Sequence, residues 1–414
     1  MKINKEICTI LLNKFLVTLG IILFIRLGTF LPVPGINQSD LAFYIQTHTV
    51  ARNLISTFSG DNTFVIGLFT LNIFPYINAS IFVQIILSLS SKLGKLQKEG
   101  DLAGRRYINR FTRLITLIVA IVQSIGLAIY LRQILFDWNY VLAFEITIWL
   151  TTGAMIVLWL SEIITDYGLG NGASLLIYIN IISNLPNLTK SIINENLPIL
   201  SELGFVFLIF GSLYGIVFLQ EGFRNIPLIS SKQLTQGSNQ DGLMSNYYLP
   251  LRLNQAGVMP IILTTFILVV PNYINNLGLF PKVDLPINLK SLSFLYWVGY
   301  FVFILLFSSF YSTIVLNPKD ISDQLQKMAV TIPGVRPGIQ TTFYLKQVMK
   351  RITLVGAFIL AILVTIPNFI ESTLNITSLS GLSTTSLLIL AGVILDLIRE
   401  VKNIYYSNIY NNMY

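Results

Sequence analysis

Apolar stretches of about 20 residues recur along this chain, and they limit the folds it can adopt. One helix needs about 20 apolar residues to cross the hydrocarbon core of a bilayer. Hydrophobic residues make up 54% of the 414 residues and charged residues 11%, against about 25% charged in soluble domains. The sequence therefore predicts an all-α polytopic membrane protein with ten transmembrane helices, near residues 12–32, 68–90, 110–131, 141–161, 173–192, 200–220, 254–273, 292–316, 347–367 and 378–398.

The basic residues predict how these spans are oriented. If the N-terminus is cytoplasmic, 21 of the 27 Lys and Arg residues lie on the same side of the membrane. The positive-inside rule then places both termini on the cytoplasmic side. This asymmetry accounts for the net charge of +8 without a specific nucleic-acid ligand, although a ribosome or anionic lipid could use the basic loops. The first span is expected to remain uncleaved, because Leu31–Gly35 has no small-residue cleavage site.

The chain has few residues that could carry chemistry. One cysteine, Cys8, and one histidine, His48, leave no cluster of zinc-ligand spacing. No phosphate-binding G-x-x-x-x-G-K-[ST] motif and no G-x-S-x-G or H-E-x-x-H motif occurs. We therefore expect no cofactor, no metal and no catalysis, and the energy for any driven transport must come from elsewhere.

The second span carries polar groups that a simple membrane anchor would lack. Residues 71–84 include a proline, two asparagines and a glutamine, and the seventh span begins with the similarly polar Asn254–Pro260. Polar groups at bilayer depth are costly unless they face protein or water, so they indicate a path or an interior interface. The spans divide five and five near residue 195, which predicts two inverted halves, residues 1–194 and 195–414.

Two functional classes fit this outline, a secondary solute transporter and a channel for a larger passive substrate. An ion-coupled transporter usually keeps a carboxylate near the middle of the membrane. In this chain the acids near the spans lie toward span ends, namely Glu145, Glu162, Glu202 and Asp396. The channel is therefore favoured, with the transporter as the alternative. An intramembrane enzyme is less favoured still, because the chain has no nucleophile–base or metal constellation.

Two long loops on the basic side favour the channel further. Residues 222–253 and 317–346 are about thirty residues each, whereas helix connections usually have 2–8. In the second loop, Asp320 is a candidate N-cap for a short helix. Two Pro-Gly turns in Ile332–Gly338 then predict a stiff loop that presents Arg336 outward. The alternative is a solvated linker with scattered charge.

Six motifs follow one another along the chain: Arg26–Ile36, Pro75–Gln84, Trp159–Ser174, Leu251–Pro260, Asn317–Gly338 and Thr353–Ala357. In this order they resemble the motifs of SecY, the pore subunit of the bacterial and plastid protein translocase. The resemblance covers nearly the whole chain. It implies a channel that passes unfolded, signal-bearing polypeptides across the membrane and laterally into it.

The resemblance also implies the parts of a pore between the two halves. Position by position, it assigns an aliphatic constriction ring to Ile73, Ile77, Ile177, Ile262 and Ile389. A narrow apolar constriction resists ions because it dewets. A short plug is implied at about residues 53–63, on the far side of the ring. Spans two and seven should line a lateral gate, with gate positions at Asn78, Gln84, Asn254 and Val270.

The remaining implications concern partners and location. A SecA-type ATPase or a ribosome should dock on Arg224, Lys232, Arg252 and Arg336. A SecE-like subunit should clamp the back of the channel, with or without a SecG-like subunit. Residues 223–253 have few bases, so docking is expected mainly at Arg336. Frequent Ile and Asn indicate an AT-rich genome such as that of a plastid, which favours the thylakoid membrane over a bacterial plasma membrane.

Overall fold

The helices of the computed structural model follow the predicted spans. The structure describes residues 2–34, 36, 66–89, 102–131, 139–194, 199–230, 248–255, 257, 259–261, 263–264, 293–315, 317–374 and 384–411. Its helices are α1 (Lys2–Thr29), α2 (Phe74–Leu89), α3 (Leu102–Leu131), α4 (Tyr140–Tyr167), α5 (Gly172–Asn194), α6 (Ile199–Glu221), α7 (Ser293–Val315), α8 (Pro318–Lys327), α9 (Ile339–Leu374) and α10 (Thr384–Asn411).

A helix occupies each predicted span that the structure describes. Four helical stretches are long and apolar enough to cross a membrane: Thr9–Thr29, Arg106–Ile129, Tyr140–Tyr167 and Ile339–Pro367. Shorter apolar stretches occur in α2, α5 and α7. The seventh span lies mostly outside the described residues, so the count of ten helices stays a prediction.

The chain divides into two compact units. The first comprises residues 1–196 together with 393–414, and the second comprises residues 197–392. The inverted relation between the predicted halves, 1–194 and 195–414, stays a prediction, as does the plug at 53–63, which lies outside the described residues.

Small residues allow close backbone packing in the first unit. A side chain at Gly153 on α4 would meet the carbonyl oxygen of Leu68, and one at Gly67 would meet that of Thr29. Membrane helices use small residues in this way because lipid supplies no hydrophobic drive for helix association. The buried apolar core around these contacts consists of Val33, Ile36, Ile66, Leu71, Ala120, Ala128, Ile146, Leu150 and Ala154.

The second unit has two apolar clusters. The first joins helices α6, α7, α9 and α10 through residues that include Ile216, Leu219, Ile304, Leu360 and Leu388. The second cluster lies at the start of α9 and draws together the two long loops. Its buried members are Ile226, Leu251, Leu325, Ile332, Leu345, Val348, Met349 and Ile352.

The two long loops fold into one structure, which we call the loop lobe (residues 222–230, 248–253 and 317–346). Strand β1 (Phe223–Pro227) pairs antiparallel with β3 (Tyr248–Arg252), and β2 (Ile229–Ser230) pairs with β4 (Val330–Thr331). The second pairing ties the first loop to the second. The loop at residues 317–346 is therefore not a solvated linker.

The expected cap of the short helix was wrong. Helix α8 begins at Pro318, and the side chain of Asn317, not that of Asp320, caps it by accepting a hydrogen bond from the Lys319 N–H. Proline suits the first helical position because its missing N–H would have no partner there, so the helix starts earlier than the Asp320 signal indicated.

Candidate pore and docking surface

An unusual backbone turn precedes α2, the helix that carries the first predicted pore residues. Asn72 has a φ of 46°, which is a left-handed conformation, and its side-chain oxygen accepts a 2.8 Å hydrogen bond from the Ile73 N–H. Asparagine tolerates this conformation because its short polar side chain can bond locally. Pro75 follows in the first helical turn, where no N–H is needed. Together these residues fix where α2 begins.

Two of the predicted ring residues lie side by side at this turn. The Ile77 N–H donates a 3.1 Å hydrogen bond to the carbonyl of Ile73, so the two side chains are one helical turn apart. Both side chains are buried, with 1% and 5% of their surface exposed. Ile177 on α5 and Ile389 on α10 are half-buried, and Ile389 belongs to the second unit. Ile262 lies outside the described residues.

A charged hydrogen bond that sequence reasoning missed connects α1 to α5. The Nη2 atom of Arg26 donates a 2.6 Å hydrogen bond to the carbonyl oxygen of Ile179. A cation within a span is costly unless it meets carbonyls or counter-charges. The sequence signal was available, because Arg26 falls inside the apolar stretch 12–32.

The motif Trp159–Ser174 forms a tight connection between α4 and α5. A side chain at Gly172 would meet the carbonyl oxygen of Ser161. The Gly172 N–H donates to Thr165 Oγ1 at 3.0 Å, and the Ala173 N–H donates to Asn171 Oδ1 at 3.0 Å. These two bonds satisfy N–H groups that the first turn of a helix leaves open. The motif thus sets the start of α5, which carries Ile177.

An ion pair links α3 to α4 at the basic side. Arg113 meets Glu162 through two bonds, Nε to Oε1 at 2.8 Å and Nη2 to Oε2 at 2.7 Å. Glu162 belongs to the same Trp159–Ser174 motif, so this acid near a span end is paired with a base. Both side chains keep contact with solvent.

The predicted gate residues are partly described. Asn78 and Gln84 are half-buried on α2. The Oε1 atom of Gln84 is buried and accepts no hydrogen bond from the described part of the chain. Asn254 donates from Nδ2 to the carbonyl of Gly257 at 3.0 Å, and Gly257 has a φ of 62°. Val270 lies outside the described residues, so the predicted approach of Asn78 to Val270 stays a prediction.

A buried polar network lies beside the start of the seventh span. Ser312 on α7 donates to Gln255 Oε1 at 3.0 Å and shares a 2.8 Å hydrogen bond with Thr353 on α9. The network connects three segments that are distant in the sequence. Sequence reasoning singled out the polar start of span seven without identifying these partners. The only sequence signal for them was the presence of hydroxyl side chains within apolar spans.

The turn around Arg336 is held by hydrogen bonds from both neighbouring helices. Its glycines, Gly334 and Gly338, have φ values of 76° and 99°, which other residues rarely adopt. Thr341 Oγ1 donates to the Arg336 carbonyl at 2.9 Å, and Ser322 Oγ donates to the Gly338 carbonyl at 3.0 Å. The predicted outward turn is confirmed, because the Arg336 side chain is exposed while its backbone is tied to α8 and α9.

Two further predicted docking residues lie on the neighbouring hairpin. Arg224 on β1 and Arg252 on β3 are both exposed, and they lie opposite Leu251 and Phe223 respectively. Lys232 lies outside the described residues. Within the described residues no three His, Cys, Asp or Glu side chains lie together as metal ligands would.

Comparison with known proteins gives a consistent relationship over almost the full length. The SecY family model matches residues 67–398. The protein translocase subunit SecY of the diatom Trieres chinensis is 62% identical over 98% of this chain and 98% of its own length. That of Guillardia theta is 41% identical over 97% of this chain and 96% of its own length.

A solved structure shows the same fold at lower identity. A SecY protein studied for how its plug domain stabilises the closed channel has a TM-score of 0.65 and 17% identity, covering 96% of this chain and 93% of that chain. The family model and the closely related sequences agree with this fold. The chain belongs to the SecY family.

Proposed function

We infer that this chain is the pore-forming subunit of a translocase that moves unfolded polypeptides across a membrane and into it. The observation that carries this inference is the 62% sequence identity, over 98% of this chain, to a protein named as protein translocase subunit SecY. Membership of that family gives no support to a solute transporter.

The buried turn at α2 supports the pore. Ile73 and Ile77 place two buried aliphatic side chains one helical turn apart, on one helix face. With Ile177, Ile262 and Ile389 they form the proposed constriction. A ring of flexible aliphatic side chains excludes ions by dewetting and can still yield to an extended polypeptide. The plug, at about residues 53–63, covers the ring from the far side.

The polar residues of α2 support the lateral gate. Gln84 has a buried amide oxygen that needs a donor, and burying an unsatisfied polar atom costs about 1–3 kcal/mol. A donor on the facing span would satisfy it in the closed channel. The proposed gate combines Asn78 and Gln84 of span two with Asn254 and Val270 of span seven.

Energy and assembly come from other proteins in this proposal. The chain has no nucleotide-binding motif, so a SecA-type ATPase or a translating ribosome drives the polypeptide and docks at Arg336, with Arg252, Arg224 and Lys232 nearby. A SecE-like subunit supports the pore, with or without a SecG-like subunit. The chain itself is not an enzyme and uses no cofactor. Its location is the thylakoid membrane, with both termini in the stroma.

Reconstitution tests the proposal. The chain, its co-purifying SecE-like subunit and the motor ATPase are placed in liposomes with an unfolded, signal-bearing polypeptide and ATP. We expect the polypeptide to become resistant to external protease only when ATP and the chain are both present. Saturable uptake of a small solute without any protected polypeptide would overturn the proposal.

A further inference from the structure

Arg26 is a cation within the apolar part of α1. It lies in the stretch Thr9–Thr29, which is long and apolar enough to cross a membrane. Its side chain is half-buried, and its Nη2 atom donates the 2.6 Å hydrogen bond to the Ile179 carbonyl of α5. A cation inside a span is costly unless protein groups or water meet it, so it usually marks a functional position.

The alternative is a basic residue near a span end that extends its side chain to the membrane surface. Two contacts of α1 argue against it. A side chain at Gly168, in the α4–α5 connection, would meet Thr18, and Arg26 contacts Ile179 farther along. Thr18 to Arg26 is a rise of about 12 Å on α1, and Gly172 to Ile179 is about 10.5 Å on α5. The two helices therefore run side by side, and Arg26 donates to the interior of α5.

The carbonyl that Arg26 contacts belongs to the same helical turn as a proposed ring residue. Ile179 follows Ile177 by two residues within α5. A carbonyl oxygen has two lone pairs, so it can accept this bond in addition to the helical one. The guanidinium therefore fixes the position of the turn that carries Ile177 relative to α1.

The same turn of α1 also packs against the segment that leads into α2. A side chain at Gly28 would meet the ring of Phe69, and one at Gly67 would meet the carbonyl oxygen of Thr29. The ring centroids of Phe24 and Phe69 lie 6.4 Å apart. Small residues permit such close approach between membrane segments. The segment that ends at the first proposed ring residue is therefore in direct contact with α1.

That segment is buried and bonded within itself. Residues 69–73 are all buried. Thr70 Oγ1 donates to the Gly67 carbonyl at 2.7 Å, and Asn72 Oδ1 accepts from the Ile73 N–H at 2.8 Å. Close-packed interiors transmit strain, so a displacement of this segment at α1 reaches the proposed ring residues of α2.

We propose that Arg26 is a positioning residue of the proposed constriction, because its turn of α1 contacts both elements of the first unit that carry ring residues. The hydrogen bond of Arg26 positions α5, and the contact of Gly28 with Phe69 positions the start of α2. The width of a dry constriction decides whether water and ions enter it, so the seal depends on this turn as well as on the ring side chains. The inference rests on the proposed translocase function, which assigns the ring.

The resting ion conductance of the channel tests this role. The intact channel with its SecE-like subunit is placed in planar bilayers, and Arg26→Met removes the donor while keeping a long side chain. We expect the conductance to rise at least about threefold, because a displaced α5 leaves the constriction wide enough to hydrate. Arg110→Met makes the same change at an exposed position of α3 and should conduct like the wild type.

Two further variants separate positioning from a loss of folding. Arg26→Lys keeps a cation that can donate to the same carbonyl, so its conductance should lie close to that of the wild type. Gly28→Ala displaces Phe69 and should raise the conductance through α2 instead. Thermal unfolding in mild detergent should give Arg26→Met a melting temperature close to that of the wild type, since the apolar replacement also removes the desolvation cost of the charge.

Three results would overturn the proposal. They are wild-type conductance of Arg26→Met, an equal leak in Arg26→Lys, or a leak that appears only together with a lower melting temperature.

Failure of the proposed function has a different signature. The ring variant Ile77→Asn with Ile262→Asn would then not leak, and the wild type would not translocate polypeptide. A leak in that ring variant with none in Arg26→Met would count against the positioning role alone.

Discussion

The start of α2 and the turn around Arg336 are both short irregular segments that lead into a helix. The first suits a buried position within the membrane region, and the second suits an exposed position in the loop lobe. At α2, Asn72 is buried and its side chain bonds to the Ile73 N–H, so the polar group is satisfied within the segment. At the turn, Thr341 and Ser322 hold the backbone from behind while Arg336 remains exposed. Polar groups at bilayer depth must find partners inside the protein, whereas a docking residue must keep its charge available.

A disulfide across the proposed gate should have the largest effect on translocation. It would hold spans two and seven together and leave the loop lobe unchanged. In a Cys8→Ser background, Asn78→Cys with Val270→Cys should form a bond under oxidation and stop translocation reversibly. Such a bond requires Cα atoms within about 7 Å. Gel mobility and protease protection report the two events. Failure to cross-link in the resting channel would show that spans two and seven do not meet there.

Reversing the charge of Arg336 should disable docking and leave the pore intact. Arg336→Glu places like charges together at the interface, which costs several kcal/mol and should slow ATP-driven translocation at least about tenfold. Resting conductance and association with the SecE-like subunit should not change. Lys327→Glu, another exposed base of the loop lobe, is the control. A normal translocation rate in Arg336→Glu would remove the turn from the docking surface.

Polar substitution in the proposed ring should open the pore to ions and leave docking intact. Ile77→Asn with Ile262→Asn should hydrate the constriction and raise the resting ion conductance in planar bilayers. Binding of the ATPase should be unchanged. Ile118→Asn on α3, where the isoleucine is exposed on the helix surface, controls for general damage. An unchanged leak in the double variant would contradict the ring assignment.

Glycine substitutions should have a smaller, purely structural effect in the membrane region. Gly153→Ala places a methyl group against the Leu68 carbonyl, and we expect it to lower the stability of the folded state by about 1–3 kcal/mol. Gly126→Ala on α3 has free space around it and should be neutral or slightly stabilising. Thermal unfolding in mild detergent compares the two. Equal melting temperatures would mean that α4 does not need this close approach.

Local patterns predicted local features well. Helix positions followed from apolar stretches, because the bilayer sets their length. The outward turn at Arg336 followed from Pro and Gly chemistry within seven residues. The predicted cap of α8 was wrong because Pro318, which suits the first helical position, starts the helix before Asp320.

Long-range features could not be predicted from the sequence. The hydrogen bonds of Ser312 join residues 41 and 57 positions away, and no local pattern specifies such pairs. The same holds for Arg26 and Ile179, and for the pairing of β2 with β4. The exposure of Ile339 and Phe343 could not be predicted either, because only the packing of the loop lobe shows which apolar face of α9 is exposed.

Cross-linking a polypeptide arrested in transit tests the central claim most directly. The channel carries Ile77→Cys in a Cys8→Ser background, and the arrested polypeptide carries one cysteine at successive positions. We expect a disulfide with Ile77→Cys for the few positions that lie at mid-membrane, and none with Phe82→Cys on the more exposed part of α2. Equal cross-linking at both sites, or none at Ile77→Cys while translocation proceeds, would contradict a path through this constriction.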